Sequence, residues 1–367
     1  MDKLEFSLPF NDDTDTLTEL FNLQGTGGSD ISEIYLSCPQ EFSGSGRITP
    51  RMRPEKFTDI VKLIQNNGIK TNIVINSTCQ GADWYSGKQT KNLLDFLERM
   101  YHEHGITSIT VANPIFMRLI KKYLPQMEVC ASVLSDIDSV QKAVIAREYG
   151  ADTITPDANI NRDLHLLTDI KSATGAKIKI MVNEGCLLRC IFRKYHFNFV
   201  SHFSKELEHS RIDGKDFFAH CTDITLRDHS QVFKSGWIRP EDLSRYKAIT
   251  TSFKIVGRAR PKTHVLRTVK AYMQKAYHGN LFDIICSSLN AFGLMYGAYV
   301  DNMALDRTGF TDTVYNCRKQ CTACDYCTSI ASQLLKLNVV SREKLEDMGR
   351  SEVAFKLESA GKLPYFG

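Results

Sequence analysis

The residues best equipped for chemistry in this chain are its cysteines: eleven occur among 367 residues, and most of them cluster. One group comprises Cys186, Cys190 and Cys221; the other comprises Cys317, Cys321, Cys324 and Cys327. Iron–sulfur clusters need thiolates that converge on a small cage, which closely spaced loop cysteines supply with a more distant one closing the set. In the first group, Cys186 and Cys190 are the close pair and Cys221 the distant closer, and a zinc site would use the same residue types equally well. The second reads Cys321-x2-Cys324-x2-Cys327 with Cys317 just before it, a ferredoxin-like spacing that would hold a cluster, with a compact structural zinc site as its rival. Arg189, Arg193, His196, His202 and His220 crowd the first group, and such donors depress thiol pKa values and stabilise cluster charge. An odd total argues against a complete disulfide framework. Cys38, Cys79, Cys130 and Cys286 stand alone in apolar settings and are expected to pack as small hydrophobes.

These side chains need a scaffold, and the pattern of the chain supplies one. Eight short β-rich runs alternate with helical stretches: Lys3–Leu8, Glu33–Ser37, Thr71–Asn76, Thr107–Ala112, Met127–Val133, Asp152–Thr155, Lys177–Val182 and Thr250–Val256. Repeated βα units predict a parallel sheet, and eight strands close a TIM-like (β/α)8 barrel of the α/β class. The helices show their buried faces: Phe57, Ile60, Val61 and Ile64 recur at i, i+3, i+4 and i+7 before Asn66-Asn67-Gly68. Glycines at 105, 150 and 175 close three further helical stretches before the next strand. A long Cys/His-rich insertion at 184–249 separates the last two strands, and connections of that length are usually functional. The expected organisation is a barrel domain over 1–280 and a cysteine-rich helical extension over 281–367, ending in a charged helix at Ser341–Lys356.

In such a barrel the working site lies beyond the carboxyl ends of the strands. Those ends present Asn11, Cys38, Asn76, Asn113, Asp157, Asn183 with Glu184, and Arg258, a polar ring suited to a polar ligand. Asn76, Asn113, Asp157 and Asn183 are the candidates for substrate contact, although each could equally cap a loop. Cys186 and Cys190 follow the seventh strand directly, so the thiols are expected at the same mouth.

Other function classes fit less well. Lys and Arg (46) nearly balance Asp and Glu (42), giving +4, so charge alone does not argue for a nucleic-acid partner. No apolar run approaches the roughly 20 residues of a membrane span. The start Met1-Asp2-Lys3-Leu4-Glu5-Phe6 lacks a basic stretch followed by an apolar one, so the expected compartment is the cytoplasm. Neither an H-E-x-x-H zinc helix nor a G-x-S-x-G elbow occurs. Cys317, Cys321 and Cys324 share the C-x3-C-x2-C spacing of radical S-adenosylmethionine enzymes, but they follow the barrel, Ala323 replaces the usual aromatic residue, and Cys327 would fill the iron position those enzymes leave open.

Two motifs resemble one family. Asn183-Glu184-Gly185-Cys186…Cys190 with Arg193…His196-Phe197-Asn198 and Cys221, and Phe253-Lys254-Ile255-Val256-Gly257-Arg258-Ala259-Arg260-Pro261, are similar to segments of the peptidase U32 family. Its members include supposed collagenases and oxygen-independent hydroxylases of ubiquinone and RNA. The stretch Glu33–Arg47 resembles the family's first substrate-facing loop. The resemblance implies a barrel with a [4Fe–4S] cluster on Cys186, Cys190 and Cys221, the fourth position falling to Cys317, to His196 or to substrate. A second cluster, or zinc, is expected on Cys317, Cys321, Cys324 and Cys327. It further implies hydroxylation without molecular oxygen, or a related modification, of a small molecule, RNA base or peptide. In that reading Arg47 and Arg258 bind an anionic group and Glu184 or His196 moves protons. The alternative is a noncatalytic, cluster-bearing or electron-transfer partner that pairs with a related barrel protein; proteolysis is the weaker possibility.

Overall fold

The computed structural model describes residues 3–39, 45–46, 52–203 and 215–338; Arg47 and the segment 341–356 lie outside the described residues. Eight parallel strands close into a barrel in sequence order: β1 Leu4–Pro9, β2 Ser29–Ser37, β3 Lys70–Ile75, β4 Ser108–Val111, β5 Glu128–Ala131, β6 Thr153–Ile154, β7 Lys177–Met181 and β8 Ser252–Lys254. Every expected strand is present. The largest difference is at β2, which begins at Ser29 rather than Glu33 and pairs with β1 from Leu4↔Ser29 onward. Ser29-Asp30-Ile31-Ser32 is too polar to read as a strand, yet Ser29 is buried and its hydroxyl donates to the Met273 carbonyl at 3.1 Å.

Helices wrap the sheet: α1 Thr14–Phe21, α2 Pro54–Asn66, α3 Gly87–His104, α4 Pro114–Tyr123, α5 Val140–Glu148 and α6 Leu164–Thr174. On α2 the residues Phe57, Ile60, Val61 and Ile64 are buried, as their spacing requires. Gly105 and Gly175 take the left-handed conformation that closes α3 and α6. Between β7 and β8 lie α7 Arg193–Phe203, α8 Lys215–Arg227 and α9 Gln231–Lys234, and after β8 come α10 Lys262–Gln274, α11 Ser287–Met295, α12 Phe310–Tyr315 and α13 Tyr326–Leu334. The core is continuous from Leu4 through the barrel to Ile330 and Ala331. Arg162 is fully committed within it, donating to the carbonyls of Phe233 and Trp237 with its guanidinium 4.4 Å from the Trp237 ring centre.

The barrel interior is polar where such barrels ordinarily hold branched apolar residues. Lys179 on β7 reaches Glu33 on β2 at 2.8 Å, and since these strands are not neighbours the pair spans the lumen. Ser7 donates to Glu33 at 2.6 Å, Asn72 to Ser108 at 2.7 Å, and Thr110 to Asn72 at 2.7 Å. Each of these groups is buried and partnered, which is what makes a polar lumen tolerable.

Candidate active site at the barrel mouth

Above this network the strand ends enclose a cavity lined by Tyr35, Asn76, Ser132, Glu184, Arg193, Lys254 and Arg258, among others. A second cavity of about 300 Å³ adjoins it, with Asn113, Asp136, Arg193 and Lys194 in its wall. Arg193, Leu134 and Phe197 line both, so the two spaces meet.

The expected mouth residues divide into those that face these cavities and those that serve the scaffold. Asn76 is buried, donates to Ser132 at 3.2 Å, accepts from the Gly46 N–H at 2.9 Å and lines the inner cavity. Arg258 donates to the hydroxyls of Ser37 (3.0 Å) and Ser45 (2.8 Å) and also lies over the Tyr35 ring at 5.7 Å. Asn113 caps α4 through the Ile115 N–H and faces the outer cavity. Asp157 both accepts from the Asn159 N–H and pairs with Arg193 at 3.0 Å. Asn183 lines neither cavity: it clamps β7 to the chain after β8 by accepting from the Val256 N–H at 2.7 Å and donating to the Val256 carbonyl at 3.0 Å. The ring of His196 stacks near-parallel to those of Phe197 and Phe217, with centroids 5.5 and 5.2 Å away.

The first cysteine group lies in the loop after β7 and on α8. Cys186 donates to Glu184 Oε1 at 3.1 Å, which places a proton acceptor on that thiol. Cys190 and Cys221 touch: a hydrogen bond from Cys221, helped by backbone N–H groups and the Arg193 charge and opposed by burial, lowers the Cys190 thiol to about 6. The contact thus holds the Cys190 thiol below the ordinary cysteine value. Arg193 is held by Asp157, lies over Phe197 at 5.7 Å, and among the described residues its Nε has no hydrogen-bond partner.

In the second group Cys317, Cys321 and Cys324 are exposed and Cys327 is partly buried. Cys317 Sγ accepts the Lys319 N–H at 3.2 Å, with Lys319 in the left-handed region (φ 57). Burial pushes the Cys327 thiol up to about 11, and its neighbours in charge include Cys317 and Cys321. Asn159 joins the two groups: its side chain accepts from the Arg189 N–H at 2.7 Å, and its carbonyl accepts from Lys319 Nζ at 2.7 Å. Among the described residues, no group of three or more His, Cys, Asp or Glu side chains already has the arrangement that holds a metal ion.

The four isolated cysteines also differ from one another. Cys38 and Cys130 are buried as expected, but Cys79 is only partly buried and lies 3.2 Å from His202 Nε2. Cys286 is buried in a polar setting, donating to the Val256 carbonyl at 3.0 Å with His264 Nε2 at 3.4 Å.

Three groups escaped the sequence reading: the Glu33–Lys179 pair, Lys254 and Asp136. Asp136 sits at φ 50 beside Arg193, and burial raises its carboxyl. For the lysines the available signal was polar residues at alternate strand positions, as in Lys177-Ile178-Lys179-Ile180 and Ser252-Phe253-Lys254-Ile255; Asp136, off the strands, gave none.

The fold and site together define a parallel eight-stranded barrel whose mouth combines thiols, a carboxylate and cations over a polar cavity. The sequence places it among known proteins: the model of peptidase family U32 matches residues 29–202, which run from β2 into α7 and include Cys186 and Cys190. An uncharacterized protease of Methanocaldococcus jannaschii is 31% identical over 310 residues, covering 83% of this chain and 89% of the relative. The solved structure of a U32 peptidase superposes with a TM-score of 0.54 at 18% identity, covering 71% of this chain and 95% of that one, a likeness of fold. The chain belongs to peptidase family U32, a family classed as catalytic. Among the described residues no helix is long and apolar enough to cross a membrane.

Proposed function

We propose that the protein is an iron–sulfur-dependent enzyme of the U32 type that modifies its substrate at the barrel mouth, most simply by hydroxylation without molecular oxygen. The observation that carries this reading is the contact between Cys190 and Cys221 beside Arg193, with Cys190 lowered to about 6, in the same loop as Cys186. Thiols must lose their protons to become ligands. Cys190 is already disposed to do so, and Glu184 Oε1 is the acceptor at hand for Cys186. In this reading Cys186, Cys190 and Cys221 would move together to hold a cluster, with Cys317 or His196 as candidate fourth ligands or the position left to substrate. A cluster held there would supply electron transfer or, at an open iron, Lewis acidity.

The chain's own groups then have distinct tasks. Asp157 orients Arg193, whose Nε has no partner among the described residues, and Arg258 adds a second positive charge to the lining of the same cavity. Glu184 holds or releases a proton between the cavity and Cys186. The second group, with Cys317, Cys321 and Cys324 exposed and Cys327 partly buried, suits a second cluster or a zinc ion near the surface; a second cluster there would serve electron transfer toward the mouth. A partner role for the whole chain, with a related barrel protein, is the alternative this second group favours.

A hydrolytic cysteine would be sought at Cys286, the N-cap of α11 beside His264. Its thiol is spent on the Val256 carbonyl and the residue is only 2% exposed, so a peptide cannot reach it. Anaerobic purification followed by iron, sulfide and zinc counting tests the proposal. About four irons per chain indicate one cubane and about eight indicate two, whereas zinc without sulfide overturns the redox account.

A further inference from the structure

Lys254 ends β8 and projects its amine into the inner cavity, where the mechanism above gives it no task. Its Nζ lies 3.9 Å from the centre of the Tyr35 ring, and among the described residues it has neither a hydrogen-bond acceptor nor a carboxylate partner. Tyr35 cannot turn to help, because its hydroxyl is held by the Ile255 carbonyl at 2.8 Å. Glu33, whose charge acts on Lys254 from the lumen, is engaged by Lys179 and Ser7. Two cations, Lys254 and Arg258, therefore face one phenol ring at the edge of one cavity. An ammonium without an anion in such a place is costly, and the cost is relieved either by losing a proton or by acquiring a counter-ion.

We propose that Lys254 and Arg258 form an anion seat at the barrel mouth that receives a carboxylate or phosphate-like group of the substrate, and that Lys254 takes up a proton as the anion binds. This rests on the mouth being the substrate site. The groups facing Lys254 are Glu33 and Tyr35 from β2, Cys130 from β5, Lys179 from β7, Arg258 beyond β8, and Glu184 and Arg193 across the cavity. Burial first, then the charges of Lys179 and Arg258, lower the amine to about 8, outweighing Cys130 and Glu33. An anion restores the ammonium. The sign of the linkage follows: affinity is level while the free amine is protonated, below about pH 8, and falls as pH rises above it, by about tenfold per unit for one coupled proton.

The full-length chain would be titrated calorimetrically with malonate and with sulfate, both fully ionised from about pH 7 to 10. Buffers of different ionisation enthalpy at about pH 9 report the proton count. The expected result is saturable binding with the profile above and uptake approaching one proton. A preference for malonate identifies a carboxylate seat and a preference for sulfate a phosphate-like one. Lys254→Arg should bind with a level profile, because its guanidinium stays charged throughout. Lys254→Met should bind at least about tenfold more weakly, with thermal unfolding confirming that it folds. A level wild-type profile to pH 10, unchanged affinity in Lys254→Met, or no binding of either probe overturns the proposal. Iron counting is independent: cluster loss with the pH-linked binding intact removes the redox reading alone, and the converse removes the seat alone.

Discussion

Two lysines on adjacent strands of one barrel have opposite fates. Lys179 on β7 is sealed in the lumen, 2.8 Å from Glu33, and although burial opposes it the Glu33 charge raises its pKa. Lys254 on β8 stands about one layer nearer the mouth, since Lys179 pairs with Ser252 while Lys254 pairs with Met181. There burial and two neighbouring cations lower it to about 8. The side chain is the same; the position of a single carboxylate separates a structural ion pair from a responsive amine. A paired charge fixes the lumen, and an unpaired one at its rim is left free to answer a ligand.

The sharpest way to break this contrast is to strip Lys179 of its partner. Glu33→Ala should cost about 3–5 kcal/mol in denaturant unfolding, because it leaves a buried charge uncompensated. A cost below about 1 kcal/mol would mean that the lumen admits water and the pair is not structural. Acid offers a milder version of the same test. Burial opposes it, but Lys179 and Ser7 hold Glu33 at about 2 against an ordinary value of 4.5. Its contribution is therefore complete above pH 4.5 and disappears as pH falls through about 2. The stability gap between wild type and Glu33→Gln should narrow over that window, and a gap independent of pH would contradict the assignment. Replacing both partners, Glu33→Gln with Lys179→Met, should recover most of the loss and finish within about 2 kcal/mol of wild type. The smallest effect belongs to Lys254→Met, expected within about 1 kcal/mol of wild-type stability because no partner is orphaned. A penalty as large as that of Glu33→Ala would erase the distinction between the two lysines.

The barrel was legible because its strands alternate with helices whose apolar faces and closing glycines repeat one grammar. All eight strands fall where the apolar runs lie, and Gly105 and Gly175 close α3 and α6 as expected. The lumen was not legible. Alternation along a strand separates two faces but does not tell which face turns inward, so nothing in the pattern singled out Lys179 and Glu33 as a pair. Asn183 was singled out for its place at a strand end, yet its amide serves the chain after β8, a partnership across 73 residues that local pattern cannot disclose. Asn159 gave no sign that it would tie together segments bearing both cysteine groups, because Lys319 reaches it from 160 residues away. The thiol spacing was visible, whereas the contact of Cys190 with Cys221 required α8 to fold against the loop after β7.

The loop that carries Cys186 has a second constraint in the residue before it. A Cβ at Gly185 would stand 2.5 Å from the Cys286 carbonyl oxygen and 2.6 Å from the Ile285 side chain. That oxygen belongs to backbone at the N-terminus of α11, so it cannot swing aside as a flexible side chain would. A saturation library at position 185 should therefore return glycine alone among its stable members. The first thiol of the mouth is thus kept in register by the absence of an atom, and a single added methyl group would move it.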